Sequence, residues 1–266
     1  MMVRCNIQRF SAATSVHTVD LLAVEEPLEL RLEYGAESDR IKKNISITMR
    51  TPGQDEDLVR GFLFTEGIVR QKDDILSVQV VTENVVMAIL HPDLAFDMSS
   101  LDRHFYTTSS CGVCGKSSIE ALQTTISCVV SGDKWDIDPA VIYTLPEKLR
   151  KHQETFEATG GLHAAAIFDT EGLLIAIRED VGRHNALDKL IGHFVAEGSI
   201  PLDQHILLLS GRASFELVQK AAMAGIRTVC AVGAPSSLAV ASALTFGITL
   251  IGFLRGDRFN VYGIPE

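Results

Sequence analysis

HILLLSGRASFELVQKAAMAGIRTVCAVGAPSS, residues 205–237, decides the fold. The stretch reads as an apolar strand, a small-residue turn, a helical pattern, a second apolar strand and a second small-residue turn. Ile206-Leu207-Leu208-Leu209 and Val229-Cys230-Ala231-Val232 are too short for helices and are bounded by Gly, Ser and Pro, as strands buried on both faces are. Outward from there the same texture continues. It predicts strands at 162–168, 172–178, 205–210, 227–232 and 248–254, with helices over 184–197, 214–225 and 236–246. Strand–helix alternation of this kind means α/β, with a largely parallel or mixed buried sheet carrying helices on its faces.

Upstream, a helix is expected over 139–157, opened by Asp138-Pro139 and broken or kinked at Pro146. Residues 1–15 read as a loose arm. LELRLEY (28–34) and ISITMR (45–50) alternate apolar and polar residues as half-buried strands do, and Asp55 to Glu66 reads as a helix with Leu58, Phe62 and Leu63 on one face. Two more strands, at 74–81 and 84–91, meet at a Glu83-Asn84 turn. This gives a smaller N-terminal α+β unit with an antiparallel sheet over 1–100. A connector follows at 101–138, then the C-terminal α/β domain over 139–266.

The 266 residues are 46% hydrophobic with a mean hydropathy of +0.18, enough for a well-filled core. No apolar run approaches the roughly 20 residues of a membrane span. Met1 to Phe10 has no apolar signal region, and five cysteines fit a reducing compartment, so a cytoplasmic protein is expected. A net charge of −10 disfavours a nucleic-acid binder while leaving room for a local cationic pocket.

Two of the cysteines stand in SSCGVCGK, residues 109–116. Gly112 and Gly115 let the loop curl and expose both sulfurs, and Lys116 with the start of a helix expected over 118–126 lowers a thiol pKa. The loop suits thiolate chemistry or metal binding. A structural zinc needs a second Cys/His pair, and Cys5, Cys128 and Cys230 are scattered singles. A thioredoxin-like redox pair and a carrier that accepts sulfur as a persulfide both remain. A zinc deaminase needs His-x-Glu upstream of Pro-Cys-x-x-Cys. Here Ser110 precedes Cys111, and the sole His-x-Glu is His152-Gln153-Glu154, downstream.

Three strand-to-helix junctions share one make-up: Glu179 to Asn185, Leu209 to Ser214, and Gly233 to Ser237. Ligands of α/β sheets collect beyond the carboxyl ends of strands, where helix N-termini offer free N–H groups. Gly182, Arg183 and His184, with Gly211, Arg212 and Ser214, are therefore candidates for a phosphorylated, nucleotide-like ligand. The duller reading makes the serines caps and the arginines solvated charges. Asp180 and Arg183 could also simply pair. His163 and His184 are candidate proton carriers, and Gly252 to Phe259 adds two arginines on a glycine turn. Neither a P-loop nor a GxGxxG fingerprint is present.

Seven blocks in order, RGFLFTEGI (60–68), SSCGVCGK (109–116), TGGLHAA (159–165), REDVGRHNALDKLIG (178–192), SGRASFELVQKAAMAGI (210–226), APSSLAV (234–240) and GFLRGDRFNVY (252–262), resemble the FdhD family of sulfur carriers. The resemblance implies a homodimer whose C-terminal domain is similar to the cytidine deaminase fold without its zinc, and no bound metal. It implies sulfurtransferase activity: sulfur from a cysteine desulfurase moves to the bis-molybdopterin guanine dinucleotide cofactor (molybdenum or tungsten) of formate dehydrogenase. Cys111 would bear the persulfide and Cys114 would assist relay or release. The family's cofactor-binding segment carries over to Phe253, Leu254, Arg255, Gly256, Asp257 and Arg258. Arg212, Arg255 and Arg258 suit pyrophosphates, and Asp257 or Asp180 could accept from a guanine N–H edge. Two alternatives stay open, a non-catalytic cofactor-binding chaperone and a dithiol oxidoreductase.

Overall fold

The computed structural model describes residues 2–94 and 137–262. Cys111, Cys114 and the helix expected over 118–126 lie outside the described residues, as does nearly all of the connector at 101–138. The chain opens with an antiparallel pair, β1 (Met2–Phe10) and β2 (Ser15–Ala23), in place of the loose arm expected over 1–15. Every residue of this hairpin is exposed or half-buried, so no apolar alternation marks it in the sequence. Cross-strand backbone pairing, which composition does not encode, makes it.

β3 (Glu26–Tyr34) and β4 (Ile41–Arg50) pair antiparallel, and the helix α1 (Asp55–Thr65) follows with three acids in its first turn. A short 3-10 turn (Lys72–Asp74) leads into β5 (Ile75–Thr82) and β6 (Val85–Leu90). The sheet order is β4-β3-β6-β5, and β3 runs parallel to β6. The sheet is therefore mixed rather than antiparallel, because α1 acts as a crossover between its two hairpins. Arg50 is fully buried and holds it together: Nε and Nη2 each donate to Asp55 at 3.0 Å, and Nη2 reaches the Glu83 carbonyl at 2.9 Å.

Beyond residue 137, α2 (Pro139–Arg150) starts on Asp138, whose Oδ1 accepts from the Ala140 N–H at 2.8 Å. The helix runs straight through Pro146, where a break was expected, and stops at Arg150 before α3 (Glu154–Thr159). Ile142, Leu145 and Leu149 are all buried against the sheet. At about 1.5–3 kcal/mol each, their burial outweighs the roughly 3 kcal/mol of an internal proline.

The remaining strands are β7 (His163–Phe168), β8 (Leu174–Asp180), β9 (Ile206–Leu209), β10 (Thr228–Ala231), β11 (Thr249–Arg255) and β12 (Arg258–Tyr262). They form one six-stranded sheet in the order β12-β11-β10-β9-β7-β8. β9, β10 and β11 are mutually parallel, and the other pairings are antiparallel. Three helices alternate with them: α4 (Arg183–Glu197), α5 (Phe215–Met223) and α6 (Ser237–Phe246). Burial on both faces follows the strand period of two. Ala165, Leu207, Leu209, Val229, Ala231 and Leu250 share a core with α4, α5 and α6, while Ala166, Leu208, Cys230 and Ile251 face α2. The mixed α/β architecture read from 205–237 is the one observed.

One continuous core links the two parts, because α1 lies on α4 with backbone touching backbone. A Cβ built on Gly61 would sit 1.8 Å from the Asp188 carbonyl oxygen, and one on Gly192 would sit 1.8 Å from that of Asp57. Buried polar groups close the same seam. Asp180 Oδ2 meets Lys189 Nζ at 2.7 Å and the Thr51 N–H at 3.1 Å, and Lys189 Nζ also donates to the Thr51 carbonyl. Lys220 Nζ donates to both oxygens of Asp188 at 2.9 Å, to Thr65 Oγ1 and to Glu66. Burial would lower the Lys220 pKa, but Asp188 and Glu66 outweigh it and hold the ammonium above its ordinary value. Replacing Lys189 by Met leaves Asp180 as an uncompensated buried charge, an expected loss of about 3–5 kcal/mol. Urea unfolding measures it, and the Asp180→Asn/Lys189→Met pair should recover part of the loss.

Candidate functional site

Strand polarity places the three strand-to-helix junctions and the Arg255–Arg258 turn at one edge of the six-stranded sheet. β9, β10 and β11 end there, β8 ends there beside them, and β7, antiparallel to both neighbours, begins there at His163. The junctions interlock through the backbone. The Ser210 N–H donates to the Ala164 carbonyl at 3.0 Å, Gly233 to Gly211 at 2.9 Å, and Phe253 to Gly233 at 3.0 Å. Ala213 and Pro235 form a parallel bridge between two of the turns. Side chains larger than glycine would not fit this mesh: a Cβ on Gly252 would lie 2.7 Å from Pro235 Cδ, and one on Gly233 would lie 3.0 Å from the Arg212 backbone.

The fold thus brings the residues of 182–184, 211–214 and 253–258 to one rim, although their side chains differ in what they offer. Gly182 is the N-cap of α4, and its N–H donates to Asp180 Oδ1 at 2.8 Å. Arg183 is half-buried, and its Nε has no hydrogen-bond partner among the described residues. Arg212 is exposed, and Ser214, at the N-cap of α5, makes no capping bond; its buried Oγ also lacks a partner among the described residues. Ser236 is the serine that does cap, accepting from the Ala239 N–H at 3.2 Å.

Phe253 is 41% exposed with φ +55°, a left-handed conformation that β-strand side chains rarely adopt, and a bulge separates it from Arg255. Gly256, at φ +56°, makes the turn that holds Arg255, Asp257 and Arg258 out in solvent. Leu254 is fully buried in the core, so it anchors the turn and presents no side chain to a ligand.

Asp180 is not available as a reader of guanine. It is fully buried, and its oxygens accept from Lys189, Thr51, Gly182 and Asn185. It pairs with Lys189 rather than with Arg183. Asp257 keeps its exposure.

The two histidines are neighbours here. His184 Nε2 lies 2.7 Å from Glu216 Oε2, and His163 packs under Gly211, where a Cβ would stand 3.3 Å from Nδ1. Burial first, then the charges of Arg183 and His184, push the His163 imidazole below its ordinary 6.5, against the pull of Asp180. A group depressed in the fold stabilises the protein above its unfolded value and withdraws that stability as pH falls toward the folded one. The His163→Gln variant should therefore lose less stability than the parent between about pH 7 and pH 5. Denaturation midpoints measured across that range with equal slopes for the two proteins would contradict the assignment. Glu216 reads in the sequence as one more acid in the first turn of a helix, with nothing to single it out. Its partner comes from another helix, which no local pattern announces.

Fold and rim together define a mixed-sheet α/β protein whose glycine-bearing junctions and arginines gather at the carboxyl edge of its central sheet. The chain belongs to the FdhD/NarQ family, whose model matches residues 23–266. It is 45% identical to the sulfur carrier protein FdhD of Mycobacterium tuberculosis, covering 96% of this chain and 94% of that one. It is 48% identical to the protein of that name from Streptomyces avermitilis over 91% of this chain and 87% of the other. A solved structure from Desulfotalea psychrophila, named as a formate dehydrogenase accessory protein, overlays 100% of this chain and 98% of its own. Its TM-score is 0.75 at 20% identity, which establishes the shared fold. Guanine deaminase from Nitrosomonas europaea overlaps half of the chain at a TM-score of 0.34.

Proposed function

We propose that this protein is a cytoplasmic, homodimeric sulfur carrier that takes sulfur from a cysteine desulfurase and delivers it to the bis-molybdopterin guanine dinucleotide cofactor destined for formate dehydrogenase. The observation that carries this reading is the single rim onto which three strand-to-helix junctions and the Arg255–Arg258 turn converge, on a chain that also holds the Cys111/Cys114 pair. The relatives' name supports sulfur transfer, and the name of the Desulfotalea psychrophila protein supports formate dehydrogenase as the destination.

In the first step the Cys111 thiolate attacks the outer sulfur of the donor's cysteine persulfide. A new S–S bond forms on Cys111, the donor's S–S bond breaks, and the donor leaves as a thiolate. In the second, the outer sulfur passes to the cargo, and the Cys111 S–S bond breaks to leave a thiolate. The reduced metal of the cargo supplies the two electrons that convert sulfane sulfur to sulfide. Cys114 assists relay or release. The cargo meanwhile is held by its nucleotide ends: Arg183, Arg212, Arg255 and Arg258 meet the phosphates, and Phe253 and Asp257 meet the guanine.

Intact mass after incubation with a cysteine desulfurase and cysteine tests the carrier role, with GDP binding measured in parallel. A gain of one sulfur atom together with GDP binding is expected. GDP binding without any sulfur gain would leave the cofactor-binding chaperone as the better account.

A further inference from the structure

Thr51, the residue just past the end of β4, is buried and directs its N–H, its carbonyl and its hydroxyl to one distant segment. Its N–H donates to Asp180 Oδ2 at 3.1 Å, its carbonyl accepts from Lys189 Nζ at 2.7 Å, and its Oγ1 accepts from the Val181 N–H at 3.2 Å. The first two bonds serve the buried Asp180–Lys189 pair. The third serves something else, because Val181 belongs to the bend that carries Gly182 and Arg183 onto the rim. Further bonds close that bend. The Gly182 N–H donates to Asp180 Oδ1 at 2.8 Å, and Asn185 Nδ2 donates to the same oxygen at 3.3 Å and to the Met49 carbonyl at 2.8 Å. Asn185 Oδ1 in turn accepts from Thr48 Oγ1 at 3.2 Å. The Asn185 side chain lies so close over the bend that a Cβ on Gly182 would stand 3.1 Å from its Nδ2. Arg183 follows as the first residue of α4, half-buried, with a buried Nε that has no hydrogen-bond partner among the described residues. The backbone leading into Arg183 is thus fixed from the N-terminal part of the chain.

We infer that Thr51 is a positioning residue for the phosphate site: through its hydroxyl the N-terminal part fixes the Val181–Gly182 bend and so sets where Arg183 stands on the rim. The inference rests on the proposed nucleotide-binding role of this rim. A guanidinium recognises phosphate through N–H donors in a rigid planar fork, so small displacements of the backbone that carries it enter the affinity directly. Such groups keep their geometry only when the residues behind them are locked by packing and hydrogen bonds. The Asp180–Lys189 pair and the contact between α1 and α4 join the two parts of the chain without the Thr51 hydroxyl. The bend is therefore what the hydroxyl acts on.

GDP affinity of the full chain tests this, measured by calorimetry on the parent, Thr51→Val, Thr51→Ser and Arg183→Ala. T51V keeps the shape of the side chain and both backbone bonds and loses only the hydroxyl, so GDP should bind about 3–10-fold more weakly. T51S restores the acceptor and should bind as the parent does. On an R183A background T51V should cost nothing further, because the group it positions is gone. No loss in T51V, equal losses in T51V and T51S, or a T51V loss that persists in full on R183A each overturn the positioning role while leaving the phosphate site standing. Absence of GDP binding by the parent instead removes the site, and the inference with it. Thermal unfolding sets a temperature at which every variant is folded, and affinities are compared there. Thr48→Val, which reaches the bend only through Asn185, should show the same pattern at smaller amplitude and carries the test if T51V does not fold.

Discussion

Gly192→Ala is expected to destabilise the protein by about 4 kcal/mol or more, lowering the melting temperature by about 10 °C. The added Cβ would fall 1.8 Å from the Asp57 carbonyl oxygen and 2.6 Å from the Gly61 amide nitrogen. Both obstacles are backbone inside α1, so no rotamer change relieves them. α1 and α4 would have to separate, and the buried contacts of Leu58, Val59, Leu187 and Ile191 would open with them. Gly61→Ala should behave alike, since its Cβ meets the Asp188 carbonyl oxygen at the same 1.8 Å. Gly160→Ala is the control. Nothing lies within 4 Å of its Cβ, and only its φ of +67° is unfavourable, for a cost of about 1 kcal/mol. Calorimetry that found Gly192→Ala no worse than Gly160→Ala would refute the backbone contact between α1 and α4.

Cys111→Ala is expected to abolish sulfur loading and formate dehydrogenase activation together, while the fold and GDP affinity stay unchanged. The two thiols among the described residues, Cys5 and Cys230, offer little to compete with it. Cys230 is fully buried on β10, and burial pushes its thiol far above the ordinary range, so it supplies no thiolate at neutral pH. Cys5 is half-buried on the β1–β2 hairpin, without the glycines and lysine that flank Cys111. Cys114→Ala should still gain sulfur but pass it on more slowly. Intact mass of the two variants after desulfurase treatment, with formate oxidation in a maturation assay, decides the point. Sulfur gain by Cys111→Ala would transfer the carrier role to another cysteine.

The elements legible in the residues themselves follow from local rules. Ile206–Leu209 and Val229–Val232 announce buried strands because four apolar residues between turn formers have little else to do. Gly211, Ser214, Gly233 and Ser236 announce strand-to-helix turns because small residues permit the bend and offer caps. The order of seven blocks carries the family. Other features lie beyond such rules. Pro146 does not stop α2 because Leu149 beyond it is buried on the sheet, an energy that depends on what the helix docks against. The β1–β2 hairpin carries no apolar alternation, since none of its residues is buried.

The residues that join the two parts are the least legible. Gly61 and Gly192 stand 131 positions apart, and Thr51 and Asp180 stand 129 apart, so no periodicity relates them. The sequence alone determined the strand–helix order of the C-terminal sheet and the family. Only the tertiary structure decided that Asp180 and Leu254 are buried, that Glu216 reaches His184, and that all the junctions share one edge. Strand polarity and helix docking set those contacts, and both depend on where the whole chain lies in space.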